Sequence, residues 1–238
     1  MLDKINQLMF KKYCNATVAL PDHNPTADFE WIKHQSGLPW LRLDFAVPYQ
    51  TILEEIQNIQ SLMTEHREAY NEHQGWSSFC IHGKSYDATR EDAYYNDDRP
   101  HIWTDQALEL MPRTVEYFQT WPTNQFFRLR VMRLEPGGYV SVHRDSDQSK
   151  LSAINIAITQ PDQCYFLMER HGVVPFEPGA AFWLDLSNRH MVFNNSDQPR
   201  WHLIVHQTSD NTDFHKLVVK SYNMLYTNSN EKSHNYNP

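Results

Sequence analysis

The segment VSVHRDSD places His143 and Asp145 two residues apart. If that segment is a strand, positions i and i+2 face the same side, and one imidazole and one carboxylate converge without any special loop. His190, at the start of a further β-rich run after a Ser-Asn-Arg turn, is placed to bring a third ligand from elsewhere in the chain. Two histidines and one carboxylate form the facial donor set of non-haem iron(II) centres, which leaves three coordination positions open. An HxD pair by itself does not distinguish such a site from a surface polar pair. His101, His171 and His215 read as solvated or capping residues rather than ligands.

Arg200 lies ten residues beyond His190, at the start of RWHLIVHQ. A chelating 2-oxo acid such as 2-oxoglutarate would leave a distal carboxylate in a partly dry pocket, and an arginine fork can bind both of its oxygens. Strand alternation puts Arg200, His202, Ile204 and His206 on one face, so His202 is expected in the same pocket. Asn155 sits inside the apolar run AINIAI and, once buried, needs a partner: a co-substrate carboxylate or a backbone carbonyl.

Such a site needs short strands to hold it. From Asn124 onward, 126–136, 138–144, 151–159, 164–170, 180–186, 190–195 and 201–207 are short β-rich runs separated by PGG, DSDQS, QPDQ, HG, EPG, SN and NSDQP. They predict an antiparallel sandwich or barrel. Upstream, residues 1–37 read as irregular, 38–47 as a strand, 48–70 as a helix with Ile52, Ile56, Ile59 and Met63 at helical spacing, 75–83 as a strand and 108–120 as a helix. The expected organisation is a helical and mixed support region over 1–123, a catalytic core over 124–208, a helix over 209–226 and a flexible tail over 227–238, with one catalytic domain overall. The fold class is mainly β with flanking helices.

The bulk numbers narrow the function. A chain of 238 residues, 40% hydrophobic and 13% aromatic, buries a full core. A formal charge of −8 argues against a protein that works by neutralising phosphates, so no nucleic-acid partner is expected. Cys14, Cys80 and Cys164 are widely spaced and odd in number, which suits reduced thiols rather than a disulfide framework or zinc knuckle. No run approaches the ~20 apolar residues of a membrane span. The first residues, MLDKINQLMFKKYCNA, carry their basic groups after the apolar ones and offer no cleavage segment. A cytoplasmic setting without a membrane partner is the expectation.

The phrases RLRVMRLEPGGYVSVHRD, INIAITQPDQCYFLMER and FEPGAAFWLDLSNRHMVFNNSDQPRWHLIV, in that order, resemble the aspartyl/asparaginyl and proline hydroxylase family of 2-oxoglutarate/iron(II) dioxygenases. The likeness runs from Arg128 to His206, with GWSSFCIHG as an echo of the segment that lines the family's substrate pocket. It implies a double-stranded β-helix (a cupin-like jelly roll), with iron(II), 2-oxoglutarate and dioxygen as the reactants held at the site. Carried over residue by residue, it implies His143, Asp145 and His190 as iron ligands and Arg200 as the 2-oxoglutarate anchor. Two departures stand out: Asn155 aligns with a position that is often histidine, and the carboxylate of HxD, missing in some members, is kept.

The reaction implied is hydroxylation of an unactivated C–H bond of an amino acid, free or in a peptide or protein, of the Asp, Asn or Pro type. Arg128, Arg130 and Trp76 are candidates for facing the substrate, and Trp183 is a further aromatic able to shape the pocket. Two other readings remain open on sequence. One is a non-catalytic jelly roll that binds a metal or ligand; the other is a cupin-type dioxygenase that needs no 2-oxoglutarate.

Overall fold

The computed structural model describes residues 4–66, 73–88, 99–121, 126–145, 147–148, 150–207 and 211–234. Two helices stand where irregular chain was expected: α1 (Lys4–Tyr13) and α2 (Phe29–Gln35). Asp28 caps α2 by accepting from the Trp31 N–H, a signal that short helices depend on. The α1 helix buries only Asn6 and Met9, too sparse a pattern to register as periodicity.

Strand β1 (Trp40–Ala46) leads into α3 (Tyr49–Ile59), whose Ile52, Ile56 and Ile59 are buried as their spacing predicts. The helix is shorter than the expected 48–70. After Ile59 the chain tightens into a 3-10 turn over Gln60–Leu62, becomes extended at Met63 and forms β2 (Thr64–Glu65). That strand pairs with β3 (His73–Gly83), and pairing wins over helix continuation; 67–70 lie outside the described residues. After β4 (Ile102–Trp103), the helix expected over 108–120 is instead α4 (Asp105–Leu110) and α5 (Pro112–Gln119). The break falls at Met111 because Pro112 has no N–H with which to carry the helical ladder through.

The remaining strands are β5 (Phe126–His143), β6 (Ala153–Ala157), β7 (Cys164–Met168), β8 (Gly172–Val173), β9 (Ala180–Leu184), β10 (His190–Asn194) and β11 (Arg200–Gln207). The sheet order is β1-β9-β6-β11-β5-β10-β7-β8, with β3 also on β5, and every pairing is antiparallel. This is a curled jelly roll with flanking helices. The boundary expected at 123/124 is not a break in the sheet, since β1 and β3 extend it from the N-terminal half.

The two strands expected over 126–136 and 138–144 are one, and β5 serves both halves of the roll. Its first part, Arg128–Leu134, lies between β11 and β3, and its second, Tyr139–His143, pairs with β10. The bend is Pro136-Gly137-Gly138, where Gly137 has φ +75°, and Gly75 on β3 mirrors it with φ +67°.

Alternation along β6 and β9 separates two cores. Ile154, Ile156, Ala181 and Trp183 face the helices, whereas Ala153, Ala157, Phe182 and Leu184 face the inside of the roll. Trp183 therefore packs on Phe29 and Phe214 and does not shape the pocket. Helix α6 (Thr212–His234) buries Phe214, Val218 and Tyr222 in the outer core. It continues past the expected end at 226 and through most of the tail, because backbone hydrogen bonds propagate a helix whose polar residues show no apolar period. Residues 235–238 lie outside the described residues.

The bend sets up a contrast between two neighbouring glycines. A Cβ at Gly138 would sit 2.8 Å from the Glu135 carbonyl oxygen and 2.9 Å from that of Gln74, whereas at Gly137 nothing lies within 4 Å. Gly138→Ala is expected to cost about 2–3 kcal/mol through overpacking, and Gly137→Ala about 1 kcal/mol through its left-handed backbone alone. Urea unfolding of the two variants measures the difference.

Candidate active site

His143 ends β5 and lies directly opposite His190, the first residue of β10. Asp145 is not on the strand, as alternation predicted, but in the bend just beyond it. Its own N–H donates to the Leu186 carbonyl at 3.1 Å and brings the carboxylate back toward the strand end. The three residues come together as the sequence suggests, but through a bend and not through strand alternation. His143 Nε2 is 3.2 Å from one Asp145 oxygen and His190 Nε2 is 4.0 Å from the other. One ligand atom from each of the three lies within 4.8 Å of the others.

Both rings are turned by backbone carbonyls. His143 Nδ1 lies 2.7 Å from the Ser141 oxygen and His190 Nδ1 2.9 Å from that of Asn188. A carbonyl only accepts, so each Nδ1 carries the proton and, in the neutral ring, each Nε2 lone pair is left for a metal. The turn before His190 is held by the Asp185 carboxylate, which accepts from the N–H and hydroxyl of Ser187. Phe166 stacks on His190 at 5.4 Å. Two imidazole nitrogens and a carboxylate oxygen, all acceptors converging on one point, fit a borderline divalent metal such as iron(II).

A bulge aims His143. Between Val140↔Val192 and His143↔His190, β5 has one residue more than β10, so its amides leave the ladder. Side chains take them instead. Ser141 N–H donates to His73 Nδ1 at 3.1 Å, and Val142 N–H to Asn6 Oδ1 at 2.9 Å. Asn6 is 1% exposed and also donates to the Ser141 hydroxyl. Helix α1 thus holds the backbone whose carbonyl orients His143, a contact with no signature in the sequence.

The triad opens into a cavity of about 550 Å³ that is also lined by Arg200, His202, Asn155, Arg128, Arg130 and Trp76, among others. All of the sequence-designated residues except Trp183 meet there, and the face Arg200, His202, Ile204, His206 forms as alternation predicts. Arg200 is 5% exposed and lies over the Phe176 ring. Its Nε donates to Gln160 at 3.3 Å, and among the described residues its Nη2 has no hydrogen-bond partner. Burial pulls its pKa down, partly offset by the nearby Cys164. A desolvated guanidinium with an unused donor asks for an anion from outside the chain.

His202 Nε2 lies 2.8 Å from Asn155 Oδ1. Burial first, and then Arg200, holds His202 well below the usual imidazole range, so the ring is neutral. Whichever way the Asn155 amide is turned, this pair keeps an N–H for a carboxylate: on Asn155 Nδ2 if Oδ1 accepts, on His202 Nδ1 if the amide donates. Sequence reasoning missed Asn6, Gln160, Phe176 and His66, polar or aromatic residues whose roles depend on three-dimensional neighbours alone.

Fold and site together define an oxygenase built on a jelly roll. The chain belongs to the aspartyl/asparaginyl β-hydroxylase family, whose model matches residues 47–209. It is a 2-oxoglutarate/iron(II)-dependent dioxygenase. Among solved structures it is similar to an oxidoreductase of the 2OG-Fe(II) oxygenase family from Burkholderia pseudomallei (10% identity, 82% of this chain and 95% of that one, TM-score 0.48). It is similar also to a prolyl-4-hydroxylase of Pseudomonas putida (13% identity, 77% and 99%, TM-score 0.45). A third is a Trichoplax adhaerens prolyl hydroxylase in complex with a hypoxia-inducible-factor peptide (11% identity, 84% and 91%, TM-score 0.45). No curated protein matches. No helix of the described residues is long and apolar enough to cross a membrane.

Removing the α1 clamp should loosen the metal site without touching a ligand. Asn6→Ala is expected to cost about 1–3 kcal/mol of stability, because the Val142 N–H loses its partner in a buried setting. It should also weaken divalent-metal binding about ten-fold, as removal of orienting groups does. Chelator competition at a temperature where the variant is folded separates the second effect from the first.

Proposed function

We propose that the chain hydroxylates an unactivated C–H bond of an amino acid, free or within a peptide or protein, of the Asp, Asn or Pro type. His143, Asp145 and His190 hold the iron, and Arg200, assisted by Asn155 and His202, holds 2-oxoglutarate. One observation carries this reading: a convergent acceptor triad and a buried arginine with an unused donor line the same cavity. A metal-binding module without a co-substrate has no use for a charge buried at such cost.

Bound together, iron(II), 2-oxoglutarate and dioxygen supply oxidative decarboxylation to succinate coupled to insertion of one oxygen atom into a C–H bond. The chain does the rest. Arg200 binds the distal carboxylate through a fork that Gln160 orients, and the ring of Phe176 beneath it keeps water away. His202 stays neutral, so it adds polarity without a competing charge. Leu134, Val140, Phe166, Leu186 and Val192 line the cavity with apolar surface, which favours a dry reaction zone. No side chain has to move a proton for the reaction.

The purified protein with iron(II), ascorbate, 2-oxoglutarate and air is expected to release succinate, stimulated by one member of a panel of amino acids and short Asp-, Asn- and Pro-containing peptides. His143→Ala should abolish succinate release and metal binding together. Arg200→Gln should keep the metal but raise KM for 2-oxoglutarate on the order of 100-fold, the loss expected when one partner of a buried charge pair is truncated. Iron-loaded protein that fails to bind 2-oxoglutarate in a calorimeter would overturn the assignment.

A further inference from the structure

A third imidazole stands beside the two of the triad. His73, the first residue of β3, is half-buried, and its ring centre lies 5.8 Å from that of His143 and 5.4 Å from that of Trp76. At that distance the ring could be taken for a fourth metal ligand, but its hydrogen bonding excludes the role. Ser141 N–H donates to His73 Nδ1 at 3.1 Å. A backbone N–H can only donate, so the Nδ1 lone pair is spent. In the neutral ring the proton then sits on Nε2, and neither nitrogen has a lone pair left for a metal. His143 and His190 have the opposite tautomer, with Nδ1–H on a backbone carbonyl and Nε2 turned toward Asp145.

What His73 holds is backbone. A peptide unit is planar, so the Ser141 carbonyl and the Val142 N–H lie in one rigid plane, and the Ser141 N–H lies in the plane before it. Asn6 Oδ1 accepts from Val142 N–H at 2.9 Å and ties the second plane; His73 ties the first. Between the two planes lie only the φ and ψ of Ser141. With both planes tied, these angles are set, and so is the direction of the carbonyl that accepts from His143 Nδ1 at 2.7 Å. With one tie missing, its plane is able to pivot against the other.

The two ties come from different segments. His73 pairs with Val140, so β3 delivers its ring to the next amide along β5, where the bulge has taken that strand out of step with β10. Asn6 reaches the following amide from α1. The turn in front of His190 is built separately: the Asp185 carboxylate accepts from Ser187, and the Asn188 carbonyl accepts from His190 Nδ1. His190 is therefore an internal control for any change made at His73.

We propose that His73 is a positioning residue for the metal centre: its Nδ1, together with Asn6 Oδ1, sets the Ser141 carbonyl, and that carbonyl aims Nε2 of His143 at the metal. His73 itself touches neither metal nor co-substrate in this role. The inference rests on the reading of His143 as a metal ligand.

The test uses the whole chain, isotope-labelled in its histidine nitrogens and held at about pH 8, where imidazoles are neutral. Spectra are taken metal-free and then with zinc(II), a diamagnetic ion that takes the same donor types. The ring-nitrogen shifts should show His73 protonated on Nε2 and the two ligands on Nδ1, and zinc should move Nε2 of His143 and His190 alone. His73→Leu keeps much of the bulk and removes the acceptor. In that variant the Nδ1 proton of His143 should exchange faster while that of His190 keeps its rate, and zinc affinity by chelator competition should fall about ten-fold. His73→Asn, whose amide oxygen can stand in for Nδ1, should restore most of both. His73→Gln, whose amide reaches the place of Nε2 instead, should behave like the leucine variant.

A His73 proton on Nδ1 would overturn the proposal, and so would a zinc-induced shift of either His73 nitrogen, which would make the ring a ligand. A leucine variant that matches wild type, or an asparagine variant no better than leucine, would refute it as well. Equal disturbance of His143 and His190 would reduce the role of His73 to general support of the fold. Wild-type protein that binds no zinc would overturn the metal reading instead, while the metal-free spectra still decide whether His73 holds the Ser141 amide.

Discussion

An eighteen-residue strand kept straight would run about 60 Å, too far for its two ends to share a cavity. The bend at Pro136-Gly137-Gly138 removes that difficulty, and most of the molecule is arranged around it. Before the bend, β5 lies between β3 and β11 and presents Arg128 and Arg130. After it, the same strand crosses to β10 and ends on His143. The bend requires close backbone approach, which only a glycine at 138 allows, and a matching deformation in β3, which Gly75 provides. One stretch of backbone thus carries both a wall of the cavity and a member of the triad.

Polar groups inside this roll are tolerated because they are given hydrogen-bond partners. His202 meets Asn155, Arg128 meets His206, and Arg130 meets His66. Arg200 stands apart: it is buried, and its Nη2 has no hydrogen-bond partner among the described residues. A carboxylate placed against Arg200 would stabilise the empty protein and weaken its hold on an anion. Sensitivity to ligands has been kept at the expense of stability in their absence, a trade expected of a binding cavity.

Much of this was legible in sequence, and the limits have physical causes. Turn-punctuated β-rich runs announced the jelly roll, and the two-residue spacing of His143 and Asp145 with a histidine after a later turn announced the triad. Arg200 was singled out by its place ten residues beyond His190, and regular alternation along β11 put His202 on the same face. What failed depended on contacts between distant segments. The bulge before His143 is invisible to a period-two rule, so Asp145 arrives from a bend and not from the strand face. Trp183 looked like a pocket residue because composition cannot tell the inner face of β9 from the outer, and the packing of Phe29 and Phe214 decides that. Helix α1 escaped notice because its value lies in one asparagine, not in an apolar stripe.

That asparagine also has an evolutionary implication. The segment matched to the family spans 47–209, and Asn6 lies well outside it. The chemistry would then be encoded in the matched segment, whereas the backbone beside one proposed ligand, His143, is held by an appended helix. Appendages diverge quickly, since few neighbours constrain them. Substitutions there could retune metal retention between close relatives while every ligand stays the same, and an alignment restricted to the shared core would record no change at all.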